Sequence, residues 1–437
     1  MIKFLINFLT KSYHRPTAKL LSVVILIKSF FYSKKTNIFS ERMMLLKDLP
    51  ESSIYYNFFG RIFFVLSNLF TITFFNKYTN NKIFIDKSLD ITNEKSGSNN
   101  SAWPHQAIHL FEKDNHELTK ADLLQLETDY FSSIELLKND KFFSDSPWWV
   151  ACRKEFKDIF LNTNKINEDA LKNFRNNFKT QAALLNDQTY LDQQNSEKIN
   201  KIKSLSLINL YHKLSNYIDL SILRMSSESI IGKNICLNYR GQRLSHRVLR
   251  HAYFSSQIFK NTSISEQSKN LFLDLGGGYG GLSRILKNIY KNSTFVIIEL
   301  PEVCFLANYF LKQNFANKKI GTFKDFDKTK KISAEDLKKY DFVILPQPFI
   351  KLFEDDIFNL VINTTSLGEM TNQMQNFYIE HIERITSDYF YSINRPHKRV
   401  DKYNAQGFYD IDFKRRWIAK IYQFTHTYHI EFLGKKK

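Results

Sequence analysis

Cysteine is scarce: the 437 residues contain three, Cys152, Cys236 and Cys304, far apart in the chain. That scarcity excludes a disulfide framework, and no pair has the short spacing of zinc ligands. No H-E-x-x-H run occurs either, so nothing in the sequence calls for a metal. Long apolar runs are also missing. Leu20 to Ile27 stops at Lys28, and Ile62 to Leu66 is bounded by Arg61, Ser67 and Asn68. Both fall short of the ~20 uninterrupted apolar residues of a spanning helix. No small-residue cleavage site follows Leu20 to Ile27, which argues against a removed secretory signal and for the cytoplasmic side.

Acid is absent from the first 40 residues, which carry Lys3, Lys11, Arg15, Lys19, Lys28, Lys34 and Lys35 beside apolar stretches. Such a block attracts an anionic partner. Two readings stay open: a helix lying on an anionic membrane surface at the inner face, and a buried helix whose few lysines snorkel.

What is present belongs to a folded chain of more than one domain. The apolar fraction is 43% and the net charge +18, and one core seldom serves more than about 300 residues. The polar run NEKSGSNNS, Asn93 to Ser101, reads as a linker. Three regions follow: a basic, apolar segment over 1–100, a mostly helical region over 101–233, and an α/β domain over 234–437. In the helical region Leu123, Leu126, Tyr130, Ile134 and Leu137 recur at helical spacing after a capping-box start at Thr119 and Asp122. Asp169 to Phe178 and Ser204 to Met225 read the same way, so this region is expected to shape or cover a site.

From about residue 235 short apolar runs alternate with helical segments. Strands are expected at Leu271 to Leu275, Thr294 to Glu299, Asp341 to Leu345, Phe358 to Asn363 and Tyr389 to Asn394. Helices are expected from Gly281 to Tyr290, Glu302 to Phe315 and Thr371 to Thr386. That alternation calls for a parallel sheet covered on both faces. Trp417 to Phe424 and Tyr428 to Leu433 follow without a helix between them, which predicts a closing antiparallel pair.

The strongest local signal is LFLDLGGGYGG, Leu271 to Gly281, a buried-type strand running into a glycine turn and a helix. Gly276 permits the turn, Gly278 lets backbone approach a ligand, and Gly280 or Gly281 lets helix and strand pack closely. Gly276, Gly278 and Gly281 satisfy a dinucleotide pattern, while Asp274, Gly276, Gly278 and Gly280 satisfy D-x-G-x-G-x-G. The acid decides between them. A carboxylate repels the pyrophosphate of a dinucleotide but favours the ammonium and sulfonium of S-adenosylmethionine. Glu299 closes the next strand, near the offset at which an acid accepts hydrogen bonds from ribose hydroxyls.

Two stretches, LFLDLGGGYGGLSRILKNIYKNSTFVIIELPEV and FNLVINTTSLGEMTNQMQNFYIEHIERI, together with YFYSINR, resemble the sugar O-methyltransferase family of bacterial polysaccharide and lipopolysaccharide gene clusters. The resemblance is clearest over Leu271 to Leu306 and Phe358 to Arg395, and it says little about the first 100 residues. It implies the class I methyltransferase fold, a Rossmann-like, mostly parallel sheet of seven strands with the last antiparallel. It also implies methyl transfer from S-adenosylmethionine to a sugar hydroxyl, on a nucleotide- or lipid-linked acceptor. Glu299 stands where the family pattern has Asp, and Asn359 where the fourth strand opens with Asp.

Ligands of open α/β sheets lie beyond the carboxyl ends of the strands. The cofactor side is therefore Asp274, Gly276, Gly277, Gly278, Gly280 and Glu299. Facing it are NTTSLGEM and INRP, which offer Glu369 as proton acceptor and Asn363, Ser366, Asn394 and Arg395 to position the sugar. Trp148 and Trp149 are candidates for stacking on a sugar ring, and Tyr239, Arg243, His246 and His251 for contacts near the cofactor. A nucleic-acid methyltransferase is disfavoured, because the basic block lies in the N-terminal 40 residues beside apolar runs and is not interleaved with stacking aromatics near the cofactor site, and no Asn-Pro-Pro-Tyr run follows the fourth strand. A silent cofactor-binding scaffold of a glycan assembly complex is the alternative from outside enzymology.

Overall fold

The computed structural model describes residues 84–85, 118–138, 147–162, 165–175, 207, 210, 211, 214, 215, 218–234, 236–239, 241–394, 413, 417–423 and 430–437. The basic segment expected at a membrane surface lies outside these residues apart from Phe84–Ile85. Among the described residues no helix is long and apolar enough to cross a membrane.

The helical region supplies α1 (Lys120–Leu137), α2 (Pro147–Phe160), α3 (Glu168–Lys172) and α4 (Leu220–Met225). Thr119 caps α1 in the expected box: its side chain accepts from the Asp122 N–H while the Asp122 carboxylate accepts from the Thr119 N–H. The buried face of α1, with Leu126, Tyr130 and Leu137, follows the 3.6-residue period read from the sequence. A hairpin of β1 (Leu237–Tyr239) and β2 (Gln242–Leu244) then leads into α5 (His246–Asn261), capped by Ser245.

The α/β part is built on an eight-stranded sheet. Its strands in chain order are β3 (Leu271–Leu275), β4 (Thr294–Glu299), β5 (Ile320–Thr322), β6 (Phe342–Pro346), β7 (Phe358–Thr364), β8 (Thr386–Asn394), β9 (Trp417–Gln423) and β10 (Ile430–Lys436). Their order across the sheet is β9-β10-β8-β7-β3-β4-β6-β5. β5, β6, β4, β3, β7 and β8 run parallel, and β10 runs antiparallel to β8. This is the mostly parallel, Rossmann-like sheet expected from the sequence, with one correction. β5 adds an eighth strand outside β6, and its three residues, with Gly321 in the middle, are too few for a β pattern to show.

Helices α6 (Gly281–Ile289), α7 (Pro301–Asn314) and α8 (Asn372–Ile385) connect the parallel strands. Every residue of β3, β4 and β6 is buried, as expected of strands covered on both faces. One core cluster joins Leu273, Val296, Val343 and Val361 to Tyr378, Ile379 and Ile382 of α8. On another layer Phe174, Tyr279 and Phe310 pack edge to face.

A buried ion pair fastens the end of the α3 segment to the stretch after α4 and to the start of α5. Arg175 donates to Glu228 Oε1 at 2.6 Å and to the Ser229 carbonyl at 3.3 Å, and Ser245 donates to the other Glu228 oxygen. Both charged side chains are almost fully excluded from water. Removing one partner strands the other charge in a medium that cannot solvate it. Glu228→Ala is therefore expected to lower the unfolding free energy by about 3–5 kcal/mol in denaturant titration. A loss below about 1 kcal/mol would show that water reaches Arg175.

Candidate functional site

From β3 the chain moves outward to β4 and on to the edge strand β5, fills in β6 between them, then returns to lay β7 on the other side of β3. Such a reversal opens a crevice beyond the carboxyl ends of the two strands. The glycine turn follows β3 and the Asn363–Met370 loop follows β7, so both expected loops meet there.

Gly276, Gly278 and Gly280 all have left-handed backbone, with φ of 71°, 59° and 85°. The positive φ alone favours glycine, because a Cβ would crowd the following carbonyl. Space adds a second reason at Gly276, where a Cβ would overlap the Ser366 side chain. At Gly278 nothing among the described residues lies within 4 Å of a built Cβ, so among them this face of the turn is open. Gly280 is the N-cap position of α6, and Gly281 packs against the His251 ring.

Two carboxylates flank the turn. Glu299, at the end of β4, accepts from the Gly278 N–H through Oε1 and from the Leu300 N–H through Oε2, both at 2.9 Å. Asp274 lies beneath Gly277, whose built Cβ would come 2.6 Å from Asp274 Cγ. Ser283 donates to Asp274 Oδ2 at 2.8 Å, while Oδ1 is buried with no hydrogen-bond partner among the described residues. Burial pushes this carboxyl from 3.8 up to about 6, against the pull of the Ser283 hydroxyl.

The far wall is a network of amides. Asn363 Nδ2 donates to the Leu275 carbonyl at 2.8 Å and to Ser366 Oγ at 2.5 Å. Its Oδ1 accepts from Asn394 Nδ2 at 2.9 Å and from the Leu367 N–H at 3.3 Å. Asn394 Oδ1 takes the Gly368 N–H, and Gln375 holds the Leu367 carbonyl. Asn363 and Asn394 are buried, so the structure joins these two residues to each other and to Ser366. Thr365 between them has φ 67°, an unusual conformation for a β-branched residue.

Glu369 closes the 3₁₀ turn Leu367–Glu369. α8 begins at Asn372 behind its N-cap Thr371, so Glu369 precedes the cap and does not sit in the first helical turn. The side chains of Glu369, Trp148 and Trp149, and the whole of Arg395, lie outside the described residues.

The sequence reading passed over Gln347, the residue after β6. It is buried at the carboxyl edge beside the end of β4, and its Oε1 has no hydrogen-bond partner among the described residues. Only the strand end pointed to it. A second unforeseen group is Glu431, buried at the start of β10, which accepts from Tyr253 at 2.7 Å and from Tyr391 at 2.9 Å. A separate small cleft between α1 and α7 is lined by Tyr130, Cys304, Asn308 and Pro346 among others, and by none of the turn residues. Among the described residues no group of three or more His, Cys, Asp or Glu is placed to hold a metal.

These features fit a ligand that brings positive charge and a ribose. Gly278 offers an uncovered backbone, Glu299 an acceptor beside it, and Asp274 and Gln347 each present a buried oxygen in want of a donor.

No family model matches the sequence, and no curated protein matches it. Among solved structures, the chain is similar to the PH0226 protein from Pyrococcus horikoshii at 15% identity, covering 42% of this chain and 92% of that one, with a TM-score of 0.30. It is similar to the mitomycin 7-O-methyltransferase MmcR at 11% identity, over 44% of this chain and 57% of that one, with a TM-score of 0.30. For human N-acetylserotonin methyltransferase in complex with SAM the identity is 15%, over 44% and 55%, with a TM-score of 0.27. The match thus spans little more than half the length of the last two. At such low scores the fold rests on the strand order and directions themselves.

The Asp274 carboxyl makes a measurable pH signature. Between pH 4 and 6 the folded chain keeps a proton that the unfolded chain has released, so this group's contribution to stability falls as pH rises. Asp274→Asn removes the titration. Urea melts should show the variant gaining on the native chain by up to ~3 kcal/mol from pH 4 to pH 7. A difference independent of pH would mean that Asp274 ionises as in water.

Proposed function

We propose that the chain binds S-adenosylmethionine over the Leu271–Gly281 turn and transfers its methyl group to a sugar hydroxyl. The observation that carries the reading is Glu299 hydrogen-bonded to the Gly278 N–H beside an uncovered glycine face, at the crevice where the strand order reverses. A dinucleotide would bring its pyrophosphate against two carboxylates, whereas a sulfonium and an ammonium are favoured by them. Support for the sugar comes from the sequence resemblance over Leu271 to Leu306 and Phe358 to Arg395.

The bound cofactor supplies an electrophilic methyl group. The chain's own task is then to orient, to exclude water and to take a proton. Asp274 and Glu299 set the negative side of the pocket, and Gln347 offers an acceptor at the end of β6. Asn363, Ser366 and Asn394 hold the loop after β7 in one conformation, and Arg395 positions the sugar. Holding the hydroxyl in line with the methyl carbon is worth up to ~7–11 kcal/mol in well-oriented systems. Glu369, in the loop that faces the crevice, accepts the hydroxyl proton.

Calorimetry tests the first half. The native chain should bind S-adenosylmethionine and Gly278→Val should not, since its side chain would occupy the open face, with the fold checked by circular dichroism. Binding of a nicotinamide dinucleotide in its place would overturn the reading. Glu369→Gln tests the second half: it keeps the shape, loses the basicity and should lower kcat by about 10²- to 10⁴-fold with cofactor affinity unchanged. Near-native turnover in that variant would remove Glu369 from the chemistry.

A further inference from the structure

Among the described residues three besides glycine have left-handed backbone: Lys233, Asp356 and Thr365, with φ of 52°, 57° and 67°. The first two have local reasons. Lys233 closes a tight turn, its N–H on the Ile230 carbonyl, and Asp356 is of a residue type that enters this region readily. Thr365 is different, because a β-branched side chain is the kind this backbone crowds most. Glycine would sit there without strain. What holds Thr365 in place is clear: its N–H donates to the Ile393 carbonyl at 2.6 Å, at the end of β8, while its neighbour Ser366 donates to the Leu275 carbonyl at the end of β3. The residue is thus fixed between two strand ends, in the loop after β7 that faces the crevice.

The fold itself asks little of this side chain. It is half-buried, it has no place in the core cluster, and its hydroxyl hydrogen goes only to the carbonyl of its own neighbour, Thr364, at 2.7 Å. No donor among the described residues reaches the oxygen. Backbone strain of this kind persists where the surrounding structure over-determines it, and it gathers at sites where the strained residue has a task. With its hydrogen engaged, Oγ1 presents lone pairs alone, so it accepts a hydrogen bond and does not give one. A hydroxyl on a ligand in the crevice is a group that suits it.

We propose that Thr365 is an acceptor-binding residue, whose Oγ1 takes a hydrogen bond from a second hydroxyl of the substrate while the first is methylated. This rests on the methyl-transfer reading and narrows it. The acceptor then carries at least two hydroxyls, as a sugar does and a simple phenol does not. A ring held at one hydroxyl alone is free to turn about that contact, whereas a second contact fixes which oxygen meets the methyl carbon. Glycine in this position would relieve the strain and present nothing.

The test takes the full chain, S-adenosylmethionine with a labelled methyl group and, as acceptor, the unmethylated glycan extracted from a strain lacking this gene. Thr365→Val keeps the shape and loses the oxygen, and Thr365→Gly loses the strain as well. Both should transfer methyl about 10-fold more slowly, as expected for one hydrogen bond in a water-poor site, and chiefly through a higher KM for the glycan. Thr365→Ser restores the oxygen and should recover most of the rate. Calorimetry should give the same S-adenosylhomocysteine affinity for all four chains. In thermal melts Thr365→Gly should match the native midpoint or exceed it by up to about 4 °C, because relief of strain outweighs the freedom of glycine in the unfolded chain. Slower transfer from a chain at least as stable marks a side chain kept for function. The proposal is overturned if the Val or Gly variant transfers at the native rate, or if the Gly variant melts below the native chain, which would make the side chain a structural one. Should the native chain bind S-adenosylhomocysteine and leave the glycan unlabelled, the sugar reading falls and this role with it. Should it bind no S-adenosylhomocysteine, the methyl-transfer reading itself falls.

Discussion

One carboxamide holds the crevice together. Asn363, at the end of β7, uses both of its hydrogens and its oxygen on four partners: the Leu275 carbonyl, Ser366 Oγ, the Leu367 N–H and the Asn394 amide. These belong to the ends of three neighbouring parallel strands and to the loop between them. In a water-excluded setting each bond strengthens the others, and losing one leaves a costly orphan. The glycine turn depends on this wall directly, because the Ser366 side chain that the network seats occupies the space a Cβ at Gly276 would need.

The site has two electrical sides. Asp274 and Glu299 lie under and beside the turn, while the bases of α5 lie along its flank. Tyr279, inside the turn, takes two guanidinium groups against its ring, Arg175 at 4.9 Å and Arg247 at 5.7 Å from the ring centre.

Much of this was legible in the sequence. The parallel strands announced themselves as short β-branched runs, and Asp274, the glycines and Glu299 fell at spacings that only a strand, turn and helix satisfy. The capping of α1 was legible for the same local reason. What escaped was non-local or too short. Asn363 and Asn394 read as polar groups facing an acceptor, because nothing in a linear pattern says that two amides 31 residues apart bond to each other. Ile320–Thr322 is too brief for a period to register. Gln347 and Glu431 are single polar residues at strand ends, where sequence alone cannot separate an exposed side chain from a buried one.

The strand order also governs how the chain arrives at its final form. Asn363 meets the Leu275 carbonyl from 88 residues away, and Tyr253 meets Glu431 from 178 residues away. Contacts this distant along the chain require loop closure before they stabilise anything, so they form slowly and late. Neighbouring elements such as β3 and α6 can associate early, but the wall behind the glycine turn cannot exist until β7 and β8 have docked. No half-folded species carries a complete crevice. A ligand of this crevice consequently draws its binding energy from the finished fold alone, and its presence pulls the last, slow contacts to completion.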